Sequence, residues 1–196
     1  MKPLQSEQIR GTWGTLLLPI DDNDAIDFAI LGDEIDYLID AGVDGIYSNG
    51  SAGELHNQDE DEFDRISSIL AEMCEAAGMP FQLGASHMDP RISLGRAQRA
   101  AAHKPGAMQL ILPDWVPCSE DEAGDFLERM AEVIAPVGIV LYLPGHAKRA
   151  FDIPAIGRLA QRVPSLVGLK VAGGDKAWYD AMHQHAPHLS VFVPGH

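Results

Sequence analysis

The chain has 196 residues, 46% hydrophobic, 7% aromatic and 22% charged, the composition of an ordinary globular protein able to bury one sizeable core. Its 14 basic and 29 acidic residues give a formal charge of −15, a field that repels nucleic-acid phosphates and anionic lipid, so neither is an expected partner. Two scattered cysteines, Cys74 and Cys118, and a start ("MKPLQSEQIR") without an apolar stretch point to a reducing, cytoplasmic setting with no disulfide framework.

"TWGTLLLPI" (12–20) reads as the first strand, closed by Pro19. The recurrence of Ile26, Ile30, Ile35, Leu38 and Ile39 predicts a helix over 24–42, ending at Gly42. "VDGIYSNG" (43–50) is a second strand running into a glycine-containing turn. A helix over 59–78 follows, its acidic start suited to the positive end of the helix dipole and its inner stripe formed by Phe63, Ile66, Leu70 and Met73. Strand "FQLGAS" (81–86) leads to a helix over 90–103, with Asp89 as N-cap and Pro90 in first position. The basic series on that helix (Arg91, Arg96, Arg99, His103, Lys104) reads as a solvated face or an oligomer contact. Strand "AMQLILP" (107–113) comes next, and "SEDE" (119–122) is a capping box opening a helix through Ala135. Strand "VGIVLYLP" (137–144), a helix over 153–163, strand "LVGLKVA" (166–172), a helix over 174–186 and strand "LSVFVP" (189–194) complete the chain.

Apolar strands alternating with helices imply a parallel sheet with right-handed crossovers. No GxGxxG follows the first strand and no GxxxxGK[ST] occurs, which removes the strongest signals of a doubly wound nucleotide-binding sheet. The expected fold class is therefore α/β, a (β/α)₈ TIM barrel, which usually takes about 250 residues and eight units. Here the pattern stops at a seventh strand. The expectation is one barrel domain over 1–196, incomplete at its C-terminus, without an eighth unit or C-terminal helices.

In such a barrel, reactive groups gather where the strands end. "VGLKVAGGD" (167–175) places Lys170 there; period two sets Val167, Leu169 and Val171 on one face and Gly168, Lys170 and Ala172 on the other. Tyr142 lies near the end of the fifth strand, and the turn "GSAG" (50–53) follows the second. A partly desolvated lysine amine attacks a ketone to give an imine whose nitrogen is an electron sink, and a nearby tyrosine moves the protons that each step requires. Backbone N–H groups and the Ser51 hydroxyl suit a carboxylate, so a 2-keto acid satisfies all three groups. His87 with Asp89, and His183 with His185, tempt a metal reading. However, Asp89 is a helix cap, and residues i, i+2 on a helix point apart, so no metal is expected.

The segments "GSAGE" (50–54), "LYLP" with Tyr142, and "GLKVAGGD" with Lys170 resemble, in order and spacing, signatures of the dihydrodipicolinate synthase / N-acetylneuraminate lyase family. The opening "GTWGTLLLPI" is similar to that family's first strand, and the resemblance covers about residues 11 to 196. It implies a class I, cofactor-free aldolase or lyase acting on pyruvate or a related 2-keto acid, assembled as a dimer or tetramer. Lys170 matches the imine-forming lysine, Tyr142 the proton-relay tyrosine and Ser51 the first hydroxyl of the carboxylate-binding turn; Gly50, Ala52, Gly53, Trp115 and Gly195 fall where substrate would be lined. Several positions depart from the family pattern. Ala52 stands for a second hydroxyl residue, Trp115 for a relay tyrosine, Leu143 for an asparagine and Val171 for a glutamate, which separates the chain from dihydrodipicolinate synthase proper. The competing expectation, which the same substitutions favour, is a non-catalytic barrel remnant serving as a binding or assembly module.

Overall fold

A computed structural model describes residues 1–194. After a 3-10 turn at Ser6–Gln8, the elements are β1 (Trp13–Thr15), α1 (Phe28–Asp40), β2 (Gly45–Tyr47), α2 (Glu60–Ala77), β3 (Phe81–Gly84), α3 (Pro90–Ala101), β4 (Ala107–Leu110), α4 (Glu120–Ile134), β5 (Gly138–Tyr142), α5 (Ile153–Arg162), β6 (Leu166–Lys170), α6 (Lys176–His185) and β7 (Ser190–Phe192). The strands form one parallel sheet in chain order, β1 to β7. Every expected strand and helix is present, with shorter strands than the apolar runs imply. The first helix begins at Phe28 rather than at residue 24, because Asp21 Oδ1 accepts from the N–H groups of Asn23 and Ala25 and closes a separate turn. Asp27 then caps the helix. Asp89 and Ser119 cap α3 and α4 as their sequences foretell, and Asp59, read only as part of an acidic start, caps α2. Among the described residues, no helix is long and apolar enough to cross a membrane.

The two faces of the sheet differ. Leu16, Ile46, Leu83, Met108, Leu110, Ile139, Leu141 and Leu169 point outward into an apolar layer shared with the helices, where Phe63, Ile66, Leu70, Leu127 and Ile156 meet them. Cys74 lies in this layer, and burial pushes its thiol up to about 12. The concave face holds a small apolar floor of Ile9, Ala107, Val140 and Val167, with Leu4, Trp13 and Phe192 beside it. The N-terminal segment closes this floor: Leu4 N donates to Gly106 O (2.8 Å), and Ser190 Oγ donates to Ile9 O (2.5 Å). Trp13 of β1 and Phe192 of β7 meet edge to face, their centroids 5.7 Å apart, so the two edge strands touch through rings inside the curl.

Val167 departs from the period-two reading. The pairing of β5 with β6 slips between Ile139 and Val140, which puts Leu166 opposite Ile139 and Gly168 opposite Val140. Val167 is the extra residue of this bulge and turns into the concave floor instead of joining Leu169 outside. Gly138 is needed beneath it, since a Cβ there would come within 2.7 Å of a Val167 methyl.

Arg96 corrects the reading of α3 as a solvated basic face. Its side chain is 1% exposed. Nη2 donates to Gln58 O (2.9 Å), Nη1 to Leu55 O and Ser86 O (each 3.3 Å) and Nε to Glu60 (2.8 Å), while the guanidinium lies 4.8 Å from the Phe63 ring centroid. One cation thus ties the long β2–α2 connection to the end of β3 and to α3, and Arg99 joins it on Glu60. Burial opposes ionisation of Glu60, but the hydrogen bonds from Arg99 and Arg96 outweigh it and hold the carboxyl below its usual range. Arg96→Met leaves these carbonyls unpaired and should cost about 3–5 kcal/mol in urea unfolding; a loss below about 1 kcal/mol would contradict the clamp. Because the Glu60 pKa is depressed on folding, its stabilisation is complete above the ordinary carboxylate range and is lost as pH falls through the folded value. Stability of Glu60→Gln measured against pH should therefore fall less steeply on the acid side than that of the parent.

Candidate functional site

A cavity of about 560 Å³ opens at the C-terminal ends of the strands, lined by Trp13, Thr15, Tyr47, Ser51, Ala52, Gln82, Gln109, Tyr142, Lys170 and Phe192 among others. The strands aim these groups together. Register pairs Thr15 with Tyr47, Tyr47 with Gln82, Gly84 with Gln109, Tyr142 with Lys170, and Lys170 with Phe192. Alternate residues of a strand share a face, so the inner set is polar while its immediate neighbours are the leucines and isoleucines of the outer layer.

Lys170 projects from the end of β6 into this space. Nζ donates to Tyr47 Oη (3.1 Å) and lies 4.3 Å from the Tyr47 ring centroid and 4.1 Å from that of Tyr142. The amine is therefore held between two aromatic rings, and among the described residues it forms no ion pair. Thr15 Oγ1 donates to Tyr47 Oη, fixing that phenol from the β1 side. Ser51 Oγ donates to Tyr142 Oη across a long 3.5 Å, so both hydroxyls stay available to a ligand.

The turn after β2 is built by its own backbone. Glu54 N donates to Ser51 O and Leu55 N to Gly50 O, and Gln58 Nε2 reaches back to Gly53 O at 2.8 Å. Glu54 braces this turn, in a left-handed conformation (φ 50°) with its carboxylate accepting from Asn57 Nδ2. Gly50 borders the cavity: a Cβ there would lie 3.2 Å from the Tyr47 ring, 3.4 Å from Gln109 Nε2 and 3.7 Å from Lys170 Nζ. Gly53 has a different role from the lining one expected, because a Cβ on it would meet Leu16 O at 2.8 Å; its bare backbone packs on β1.

Lys170, Tyr142, Ser51, Ala52 and Gly50 are thus brought together as the sequence anticipates. Trp115 is not among them. It is 75% exposed and borders a separate surface depression with Met88 and Cys118. Its loop is tethered outward, since Asp114 accepts from Lys148 N (2.9 Å) and Lys148 Nζ donates to Trp115 O (2.7 Å). Gly195 lies outside the described residues. The structure adds Tyr47, Thr15, Gln82 and Gln109, which the sequence reading passed over. Their signal was the one that singled out Lys170: a polar residue inside an otherwise apolar strand. Among the described residues, no three His, Cys, Asp or Glu side chains are grouped to hold a metal ion.

Comparison with known proteins places the chain in a family and a fold. The family model described as the dihydrodipicolinate synthetase family matches residues 8–193. A probable 5-dehydro-4-deoxyglucarate dehydratase of Xanthomonas campestris is 28% identical over 176 residues, covering 88% of this chain and 56% of that protein. An N-acetylneuraminate lyase of Rhizobium meliloti is 26% identical over 186 residues, covering 94% of this chain and 61% of the lyase. Among solved structures, CdNal of Clostridium difficile in complex with mannosamine superimposes with a TM-score of 0.87 at 19% identity. YagE of E. coli K12, a prophage protein of the dihydrodipicolinic acid synthase family in complex with pyruvate, does so at 0.86 and 21%. Each of these two likenesses covers 94% of this chain and 63% of the other, and establishes the fold. The chain therefore spans about six-tenths of the length of these relatives. With its family model running through nearly every residue and its strands superimposing on those barrels, the chain belongs to the dihydrodipicolinate synthetase family.

Proposed function

We propose that this chain carries the imine-forming half of a class I carbon–carbon lyase acting on pyruvate or a related 2-keto acid. The observation that carries the reading is the placement of the Lys170 amine: inside a cavity, between two tyrosines and without a carboxylate partner among the described residues. A structural lysine gains most from an ion pair or from water. This one has a phenol and two aromatic faces, with space for a small molecule beside it.

In the proposed reaction, deprotonated Nζ attacks C2 of the keto acid, and the carbonyl oxygen takes a proton to give a carbinolamine. That hydroxyl leaves as water with a second proton, and a protonated imine remains. Its positive nitrogen accepts the electron pair released when a bond at C3 breaks, either to hydrogen or to carbon. Tyr142 is placed to move these protons: its ring faces Nζ, and its hydroxyl is reached by Ser51. Tyr47 orients the amine, and the Ser51 turn receives the carboxylate. The names of two similar proteins, a probable dehydratase and a lyase, denote eliminations of a kind that such an imine can support.

Incubation with pyruvate and borohydride, followed by intact-mass analysis and peptide mapping, should reveal a reduced pyruvyl adduct on Lys170 that is absent from Lys170→Ala. A folded sample that yields no adduct with pyruvate or a panel of 2-keto acids would sink the imine reading in favour of a non-catalytic binding module. In Tyr142→Phe the adduct should persist, while exchange of the pyruvate methyl protons with deuterated water, followed by NMR, slows by about 10²-fold or more. Unchanged exchange would remove Tyr142 from the relay.

A further inference from the structure

Among the described residues, the buried side-chain atoms with no hydrogen-bond partner are Ser48 Oγ, Asn49 Oδ1, Gln58 Oε1, Gln109 Nε2 and Ser165 Oγ. Of their residues only Gln109 lines the cavity. It is 2% exposed and stands in the middle of β4, where Met108 and Leu110 on either side are fully buried in the outer apolar layer. An unmade hydrogen bond on a buried amide costs about 1–3 kcal/mol, and a leucine or methionine would fill the position without that cost. A donor maintained there needs an acceptor that enters from outside.

The geometry indicates where that acceptor sits. Nε2 and Lys170 Nζ flank the same bare side of Gly50, 3.4 Å and 3.7 Å from where a Cβ would stand. With no side chain on residue 50 to intrude, a ligand resting against its Cα there meets a neutral donor, the lysine amine and the edge of the Tyr47 ring. That combination selects an anionic acceptor. The adjoining turn supplies a single side-chain hydroxyl, Ser51, since Ala52 has none. A carboxylate has two oxygens and can accept several hydrogen bonds, so beside the turn's backbone N–H groups and this one hydroxyl it has capacity for a further side-chain donor.

We propose that Gln109 is a substrate-binding residue: its Nε2 donates to the carboxylate of the 2-keto acid over Gly50, as the side-chain donor complementary to Ser51. The inference rests on the imine reading above for the identity of the ligand. Being uncharged, the amide binds the carboxylate without contending with Lys170 for a proton. Being fixed in a strand, it holds the carboxylate at a set distance from the Lys170 amine, and so favours 2-keto acids over simple ketones.

Gln109→Leu and Gln109→Met test this by removing the donor at similar volume. The pyruvate concentration that half-saturates borohydride trapping should rise about tenfold in both, the loss of one hydrogen bond to a charged group. The corresponding value for methyl pyruvate, which keeps the ketone and lacks the charge, should move less than twofold. The thermal midpoint without ligand should hold or rise, since an unpaired donor has gone. An equal response of acid and ester, or no response of the acid, would overturn the assignment. A parallel series in Lys170→Arg, which keeps the charge and forms no imine, reads the contact alone as the rise in thermal midpoint caused by pyruvate. That rise should shrink when Gln109→Leu is added. A rise that depends on Gln109, with no adduct on Lys170 in the parent, would dismiss the imine and leave the carboxylate contact standing. A rise indifferent to Gln109, or none at all, would dismiss the contact.

Discussion

The packing of helices against the convex face of the sheet is the constraint on which the rest depends. Parallel sheets are stable when both faces are covered, and here the outer face does most of that work. Leu16, Ile46, Leu83, Met108, Leu110, Ile139, Leu141 and Leu169 each gain up to about 1.5–3 kcal/mol by full burial. With stability concentrated there, the concave face needs only a thin apolar floor, closed from below by Ile9 and Leu4. Above that floor the chain can carry two glutamines, two tyrosines and a lysine in one cavity. The same groups in the outer layer would be unpaired and prohibitively costly.

The site is supported from behind as well as from beneath. The Ser51 turn belongs to a connection of more than ten residues, long for a βα loop, and such loops are ordinarily mobile. Arg96 holds the far half of this connection through two backbone carbonyls, and Gln58 carries the restraint back to Gly53. Ser51 therefore rests on a chain of hydrogen bonds that begins at a buried cation on a helix outside the cavity lining. Acidic groups gather around Arg96, Arg99, Arg158 and Arg162 on the helical shell, whereas the cavity itself presents one cation. That basic group stands against an overall charge of −15.

Most of the architecture was readable from the sequence. Helical periodicity, the Asp89 and Ser119 caps and the glycine-ended apolar runs each report a local preference that the fold keeps. Lys170, Tyr142 and Ser51 were readable because their neighbours carry family signatures. Arg96 was not: its spacing is that of an ordinary amphipathic helix, and the carbonyls that bury it come from segments about 10 to 41 residues away. Trp115 was misread for a related reason, since the direction of its ring depends on Lys148, 33 residues on. Gln82 and Gln109 were readable in principle, as isolated amides in apolar strands. What hid them is that no motif surrounds them, and only strand register shows that they share a wall with Lys170.

The slip between β5 and β6 decides which way that lysine faces. Residues 166 and 170 are an even number apart and would share one side of a regular strand, yet Leu166 belongs to the oily shell and Lys170 to the cavity. Val167, taken up as a supernumerary residue between the Ile139 and Val140 pairings and packed over Gly138, reverses the phase between them. The direction of the Lys170 amine is therefore set by counting rather than by its own surroundings. A residue inserted or deleted between Val167 and Lys170 would undo that phase and turn the amine toward the helices.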